Sequence, residues 1–225
     1  MAAEPADTWI FGYGSLMWNP GFAFVEARPA RLTGYHRAFC VYSIHYRGTE
    51  RQPGLVLGLD RGGVCDGIAF RIAANAREET LAYLRQRELI YGVYREALVP
   101  LDLAHVGNEP ARIVWAVTYI AERAHPAYAG RLPLAWEAEL IRRSAGRSGT
   151  NLDYFLSTRR HLTELGIREP RLDRLLTLTG AIAGRGATSS GGANTKALAR
   201  AWATRTTWAP RTVRDNRFGY RAKRS

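Results

Sequence analysis

The stretch Trp9-Ile10-Phe11-Gly12-Tyr13-Gly14-Ser15-Leu16-Met17-Trp18 constrains this chain more than any other. Three bulky apolar residues have the composition of a buried strand, and two glycines break that strand before an apolar patch returns. Asn19-Pro20-Gly21 then forbids a long helix directly after it. A strand ending in a Gly-rich turn lets something approach the backbone closely. Three common uses of such a turn fail here. Met17 stands where a dinucleotide fingerprint needs its third glycine. Tyr13 and Met17 stand where a nucleophile elbow around Ser15 needs glycines. No Lys-Ser/Thr pair follows to complete a P-loop. Two readings survive: a bend needed only for packing, or a cradle in which the N–H groups of Tyr13 to Leu16 hold a carboxylate or carbonyl oxygen.

The next 160 residues are mostly short β-branched and aromatic runs, at 9–11, 38–46, 55–59, 67–72, 97–101 and 111–120. Arg61-Gly62-Gly63 and Gly107-Asn108-Glu109-Pro110 read as turns between them. A helix is expected over 76–89, with Asn75 as N-cap and Glu78 three residues on. Two more are expected in "LPLAWEAELIRRSA" and "TNLDYFLSTRRHLTEL", broken at Gly146–Gly149. Strands early and helices late, with one helix inserted, predict an α+β fold with a mixed or barrel-like sheet and a single domain over 8–180.

Within 76–89, Leu81, Leu84 and Glu88 fall at i, i+3 and i+7, so Glu88 shares the apolar stripe, away from Arg77 and Gln86. Desolvation, and then the negative end of the helix dipole, would push its pKa upward and poise it as a base. The competing reading is an ion pair with Arg85, Arg87 or Arg95.

The formal charge of +12 is unevenly placed: residues 181–225 hold ten Lys or Arg against Asp215, leaving only +3 for the rest. That Gly-, Ser- and Thr-rich tail has no sustained apolar period and is expected to be disordered. Trp202, Trp208, Phe218 and Tyr220 among its arginines make it the one segment through which nucleic acid could bind. No run reaches the length of a membrane span, and Glu4 and Asp7 precede any hydrophobic stretch, so neither a membrane partner nor a signal peptide is expected. Cys40 and Cys65 read as reduced thiols inside strands, in keeping with the cytoplasm. The histidines at 36, 45, 105, 125 and 161 show no metal spacing, and His36 with Cys40 is a weak candidate for a catalytic pair. No cofactor motif is found, and neither a cofactor nor a metal is expected.

Four blocks, taken together, resemble the ChaC-like γ-glutamylcyclotransferases, in their glutathione-specific branch: "IFGYGSLMW" (10–18), "HYRGTERQPGLVLGL" (45–59), "LRQRELIYGVYRE" (84–96) and "GRSGTNLDYFLSTRRHLTELGI" (146–167). The resemblance covers roughly 8 to 170 and excludes the tail. It implies a small mixed β-barrel with flanking helices, and cofactor-free cleavage of glutathione to 5-oxoproline and Cys-Gly. It also implies a catalytic glutamate at Glu88 and a substrate loop over Gly12, Tyr13, Gly14, Ser15, Leu16 and Met17. In the mechanism this suggests, Arg47, Arg95 or the polar set Ser148, Asn151 and Tyr154 are the candidates to meet the Cys-Gly end, with structural hydrogen bonding the competing reading for each. Alternatives within the same resemblance are a cyclotransferase for other γ-glutamyl amines or peptides, and a non-catalytic binding protein. One departure stands out: Leu89-Ile90 replaces the Lys-Gly pair that follows the glutamate in many members.

Overall fold

Five strands that alternate in direction cannot close into a ring with every pair antiparallel; the odd count forces one parallel neighbour. The chain is built this way. The computed structural model describes residues 8–89, 92–106 and 110–180. Its strands are β1 (Thr8–Gly12), β2 (Glu26–Ser43), β3 (Gly54–Ile72), β4 (Tyr94–Leu103) and β5 (Arg112–Ala121). They form a closed barrel in the order β1-β3-β2-β4-β5, and the parallel pair is β1 with β5, Trp9 facing Ala116. Ile10, Phe11, Ile68, Phe70 and Leu101 have no exposed surface and fill the interior. The expected α+β barrel-like sheet is borne out.

The long β2–β3 hairpin corrects two expectations. Arg61-Gly62-Gly63 is not a turn between two strands: 55–59 and 67–72 are the ends of one strand, paired with β2 from Ser43↔Gly54 to Glu26↔Arg71. The glycines form a bulge where the register shifts between Thr33↔Val64 and Tyr35↔Arg61, with positive φ at Gly34, Gly62 and Gly63. Such a bulge bends a ladder without ending it, which a barrel needs. Nor does β2 begin at 38. It starts at Glu26, in a segment whose Arg28 and Arg37 are buried among backbone carbonyls rather than exposed. A buried arginine inside a ladder gives no strand signal in sequence.

Helix α1 (Arg77–Glu88) has Ala76 as its N-cap and no side-chain cap. Asn75 lies instead within a 3-10 turn (Ala74–Ala76), in which Ala76 N–H donates to Ala73 O at 2.9 Å and which leads directly into the helix. Helices α2 (Leu134–Arg143) and α3 (Asn151–Glu164) are separated at the expected glycines by a tiny hairpin, β6 (Ala145–Gly146) and β7 (Gly149–Thr150). Thr150 caps α3 by accepting from Asp153 N–H at 3.0 Å. Helix α4 (Pro170–Leu178), with proline in its first turn, packs on α2 through the Arg171–Glu137 pair at 2.5 Å. The turn expected at Gly107–Pro110 falls largely outside the described residues. So does the whole 181–225 segment, with the readings of it as disordered and as a route to nucleic acid. No helix among the described residues is long and apolar enough to cross a membrane.

Candidate active site

Helix periodicity carries α1 onto the barrel: Leu81 and Leu84 are buried in the core, and Glu88, one turn further along the stripe, emerges beside a cavity of about 80 Å³. Its side chain keeps 19% exposure. The turn after β1 contributes Tyr13, Gly14, Ser15 and Leu16 to the same cavity; β3 adds Leu57, β4 Tyr94, β5 Tyr119 and α3 Tyr154. Of the residues expected to form the substrate loop, the outer two lie elsewhere. Gly12 ends β1 against Ile68, and Met17 is wholly buried in the core.

The glycine break now has a physical account. After Gly14 the chain makes a 3-10 turn (Ser15–Met17) whose first bond runs from Met17 N–H to Gly14 O at 2.9 Å. The N–H groups of Gly14, Ser15 and Leu16 precede that bond and have no partner inside the turn. Arg37, whose side chain is fully buried, donates from Nε to Tyr13 O at 2.5 Å and from Nη2 to Asp66 O at 2.6 Å, and also pairs with Glu169. In a planar trans peptide the C=O and the next N–H point opposite ways, so this bond turns the Gly14 N–H away from Arg37. A side chain at Gly14 would touch Leu57 Cδ1 at 3.6 Å, in the cavity wall, and one at Gly12 would press on Leu16 Cβ at 3.1 Å. Packing explains the first glycine; at the second, a Cβ would make only an ordinary contact with Leu57.

Burial pushes the Glu88 carboxyl above its ordinary range, while the adjacent Arg87 guanidinium, 3.3 Å away, pulls it back in part. The expected base and the expected ion pair are thus the same residue in the same place. Arg87 does more: it donates from Nη2 to Ser15 Oγ at 2.9 Å and from Nη1 to Asn19 O at 2.8 Å and Tyr83 Oη at 3.0 Å. One guanidinium therefore ties the end of α1 to the turn after β1. Around Glu88, burial raises the hydroxyls of Tyr13, Tyr94, Tyr119 and Tyr154, and the carboxylate raises all four further. They stay neutral and able to donate. Tyr94 Oη donates to Leu57 O at 2.6 Å, and Tyr119 Oη to Glu96 at 3.2 Å.

Sequence reasoning passed over Arg37, Tyr94 and Tyr119 as parts of the site, and named Arg87 only as an ion-pair partner for Glu88. A tyrosine in a strand carries the same signal whether it faces a cavity or a core, and Arg37 reaches partners 24, 29 and 132 positions away. The other candidates are sorted by their contacts. Arg95 pairs with Glu122 at 3.7 Å on the surface. Asn151, fully buried, exchanges two hydrogen bonds of 2.7 Å with Leu55 and fastens α3 to β3. Ser148 presents its carbonyl to Arg47, which lies over Tyr154. His36 bonds Gly62 O at 2.9 Å, and burial pushes the Cys40 thiol up to about 12, so the two form no nucleophilic pair. The departure after the glutamate falls on Leu89, which caps α1, and on Ile90, outside the described residues. Among the described residues no group of three or more His, Cys, Asp or Glu side chains is arranged to hold a metal ion.

A cavity beside a closed barrel that brings a raised carboxyl, neutral tyrosines and the Tyr13–Leu16 turn together defines an α+β protein with a pocket suited to a small polar ligand. Its family is known: the model for ChaC-like protein matches residues 8–182, and the chain belongs to that family. It is 40% identical over 178 residues to the glutathione-specific gamma-glutamylcyclotransferase of Escherichia coli (strain K12), covering 78% of this chain and 75% of that protein. It is 34% identical over 155 residues to glutathione-specific gamma-glutamylcyclotransferase 1 of Homo sapiens, covering 68% of each. The crystal structure of a yeast γ-glutamyl cyclotransferase specific to glutathione shares the fold, with a TM-score of 0.69 at 22% identity over 79% of this chain and 97% of that one.

Proposed function

We propose that this chain is a γ-glutamylcyclotransferase that degrades glutathione to 5-oxoproline and Cys-Gly, with Glu88 as the proton-transferring group. The observation that carries the reading is the Glu88 carboxyl, raised by burial, lining one cavity with the turn at Tyr13–Leu16. The names of the relatives support the substrate.

The α-ammonium of the γ-glutamyl group cannot attack while it holds its third proton. Glu88 takes that proton, and the freed amine closes a five-membered ring on the γ-carbonyl, forming one C–N bond. The ring nitrogen sheds a second proton as the tetrahedral intermediate collapses, the bond to the cysteine nitrogen breaks, and both protons, relayed by Glu88, pass to the departing amine, which leaves as an ammonium. No water is consumed, and the positive charge that began on the α-nitrogen ends on Cys-Gly. Because both ends of the ring are tethered in one residue, closure has a low entropic cost. The amides of Gly14 to Leu16 would receive the substrate carboxylate or the developing oxyanion, an aligned donor contributing roughly 2.7–4 kcal/mol. Such a reaction carries a carbon–nitrogen lyase assignment. Cys40 and Cys65, both buried and unbonded, support a reducing, cytoplasmic setting.

The test is incubation of the purified chain with reduced glutathione, followed by chromatography. Equal amounts of 5-oxoproline and Cys-Gly are expected. Free glutamate in place of 5-oxoproline would mean hydrolysis and would sink the ring-closing mechanism.

A further inference from the structure

Guanidinium groups in this chain that lose much of their hydration find a carboxylate: Arg37 pairs with Glu169, Arg171 with Glu137, Arg71 with Glu26 and Arg87 with Glu88. Arg47 breaks the pattern. It is half-buried, and burial lowers its pKa; among the described residues no carboxylate is in ion-pair contact with it, and the Asp153 charge acts on it only from a distance and does not offset that burial. Its contacts are carbonyl oxygens, Ser148 O at 2.6 Å and Thr150 O at 3.3 Å from Nη1, and the ring of Tyr154, whose centroid lies 5.3 Å from Cζ. A cation removed from water in this way is costly without an anion in direct contact, and part of its donor fork is still free to receive one.

The backbone that presents Arg47 is held tightly. Arg47 N–H donates to Ser43 Oγ at 3.1 Å, and the flanking carbonyls of His45 and Tyr46 accept from Arg147 and Ser148 N–H at 2.9 and 3.0 Å. Gly48 and Gly146 allow this approach. A Cβ on Gly48 would lie 2.1 Å from Gly54 N, and one on Gly146 2.6 Å from His45 O. The "RGT" and "GRSG" blocks are therefore one clamped junction of backbone, and Arg47 is the charged side chain it delivers.

Arg47 and the cavity share one side chain, Tyr154. Tyr154 lines the cavity, and its hydroxyl accepts from Leu57 N–H at 3.5 Å, while Arg47 covers its ring. Resting on the activity proposed above, a γ-glutamyl head at Glu88 would leave two further residues extending outward, a reach of about 7 Å at the extended-chain spacing. We infer that Arg47 binds the C-terminal carboxylate of the substrate, so that this chain selects γ-glutamyl peptides ending in a carboxylate over γ-glutamyl amines. Arg47 is thus a specificity residue for the leaving group, remote from the proton transfer.

The experiment is a two-by-two comparison of wild type and Arg47→Gln on glutathione and on glutathione whose glycine carboxylate is a carboxamide. Wild type is expected to lose about ten- to hundredfold in kcat/KM on the carboxamide, mainly through KM, as for loss of a charged hydrogen bond. Arg47→Gln should lose the same factor on glutathione and nothing more on the carboxamide; Arg47→Lys should recover part of it. An equal loss on both substrates, or none on either, overturns the inference. Binding of both ligands to Glu88→Gln, with and without Arg47→Gln, is measured by calorimetry alongside. A preference for the carboxylate that depends on Arg47 upholds the inference even if wild type forms no 5-oxoproline, a result that sinks only the activity. Equal binding of the two ligands sinks the inference alone.

Discussion

Two carboxylates in this molecule are buried next to tyrosines and arginine, and they behave in opposite ways. Asp60, in β3, has a 7% exposed side chain, and burial by itself would raise its pKa. Yet Arg123 Nε donates to it at 2.7 Å, Tyr128 Oη at 2.9 Å and Arg61 N–H at 2.9 Å, and together they hold it below the usual carboxylate range. Glu88 is more exposed, at 19%, but among the described residues its pairing is with Arg87 alone, at 3.3 Å. Its tyrosine neighbours spend hydroxyls elsewhere, on Leu57 and Glu96, and burial wins. At Asp60 the three committed donors outweigh desolvation, whereas at Glu88 desolvation outweighs the single guanidinium beside it. Asp60 is a fastener between β3 and the segment after β5. Glu88 is left with an unmet demand.

The strongest way to break this contrast is Glu88→Gln. Formation of 5-oxoproline should fall at least about a hundredfold, the low end for loss of a general base. The fold should not suffer. A carboxyl raised in the folded state binds its proton more tightly there than in the unfolded chain, so it costs stability once pH exceeds the unfolded pKa. The melting temperature of Glu88→Gln at pH 7 is therefore expected to match or exceed that of wild type, with the difference fading in acid. Near wild-type turnover would remove Glu88 from the chemistry.

Arg87→Met sharpens the comparison by taking away the one charge that restrains Glu88. Deprotonation of the base becomes harder, so the acidic limb of the kcat/KM profile should move to higher pH. The unclamped Ser15 turn should add a loss of roughly ten- to hundredfold at neutral pH, as for a misplaced binding element. A loss of activity without movement of the limb would mean that Arg87 acts only by holding the turn.

The smallest effect on turnover belongs to Asp60→Asn, which should leave kcat per folded molecule unchanged. It should lower stability by about 1–3 kcal/mol at neutral pH, as for a disrupted buried hydrogen-bond set. The sign with pH is the reverse of Glu88. A depressed carboxyl contributes stability above its unfolded pKa and loses it as pH falls through the folded one, so wild type and Asp60→Asn should converge in acid. Denaturant titrations at two pH values would check this.

How much of this was legible beforehand depends on the range of the interaction. The stripe Leu81, Leu84, Glu88 is set by helix spacing over seven residues, and α1 keeps that phase even though its start is a 3-10 turn and not the expected Asn75 cap. The break at Gly12–Ser15 is equally local, since strand composition and the proline that follows leave a tight turn as the only continuation. By contrast, Arg61-Gly62-Gly63 has the local signature of a turn and becomes a bulge because β2 pairs with both flanks.

Local pattern determined the strand-rich barrel half, the helix that bears the acid, and the place where the backbone opens, because propensity and periodicity act between residues a few positions apart. Tertiary structure alone decided which residues meet there. Tyr94, Tyr119 and Tyr154 come from three elements, Arg37 holds Tyr13 from another strand, and Arg47 reaches Tyr154 across a glycine junction. Those meetings follow from closing five strands through the parallel β1–β5 pair and folding α1 and α3 onto the result. Closure is a property of the whole ring, and no window of neighbouring residues carries it.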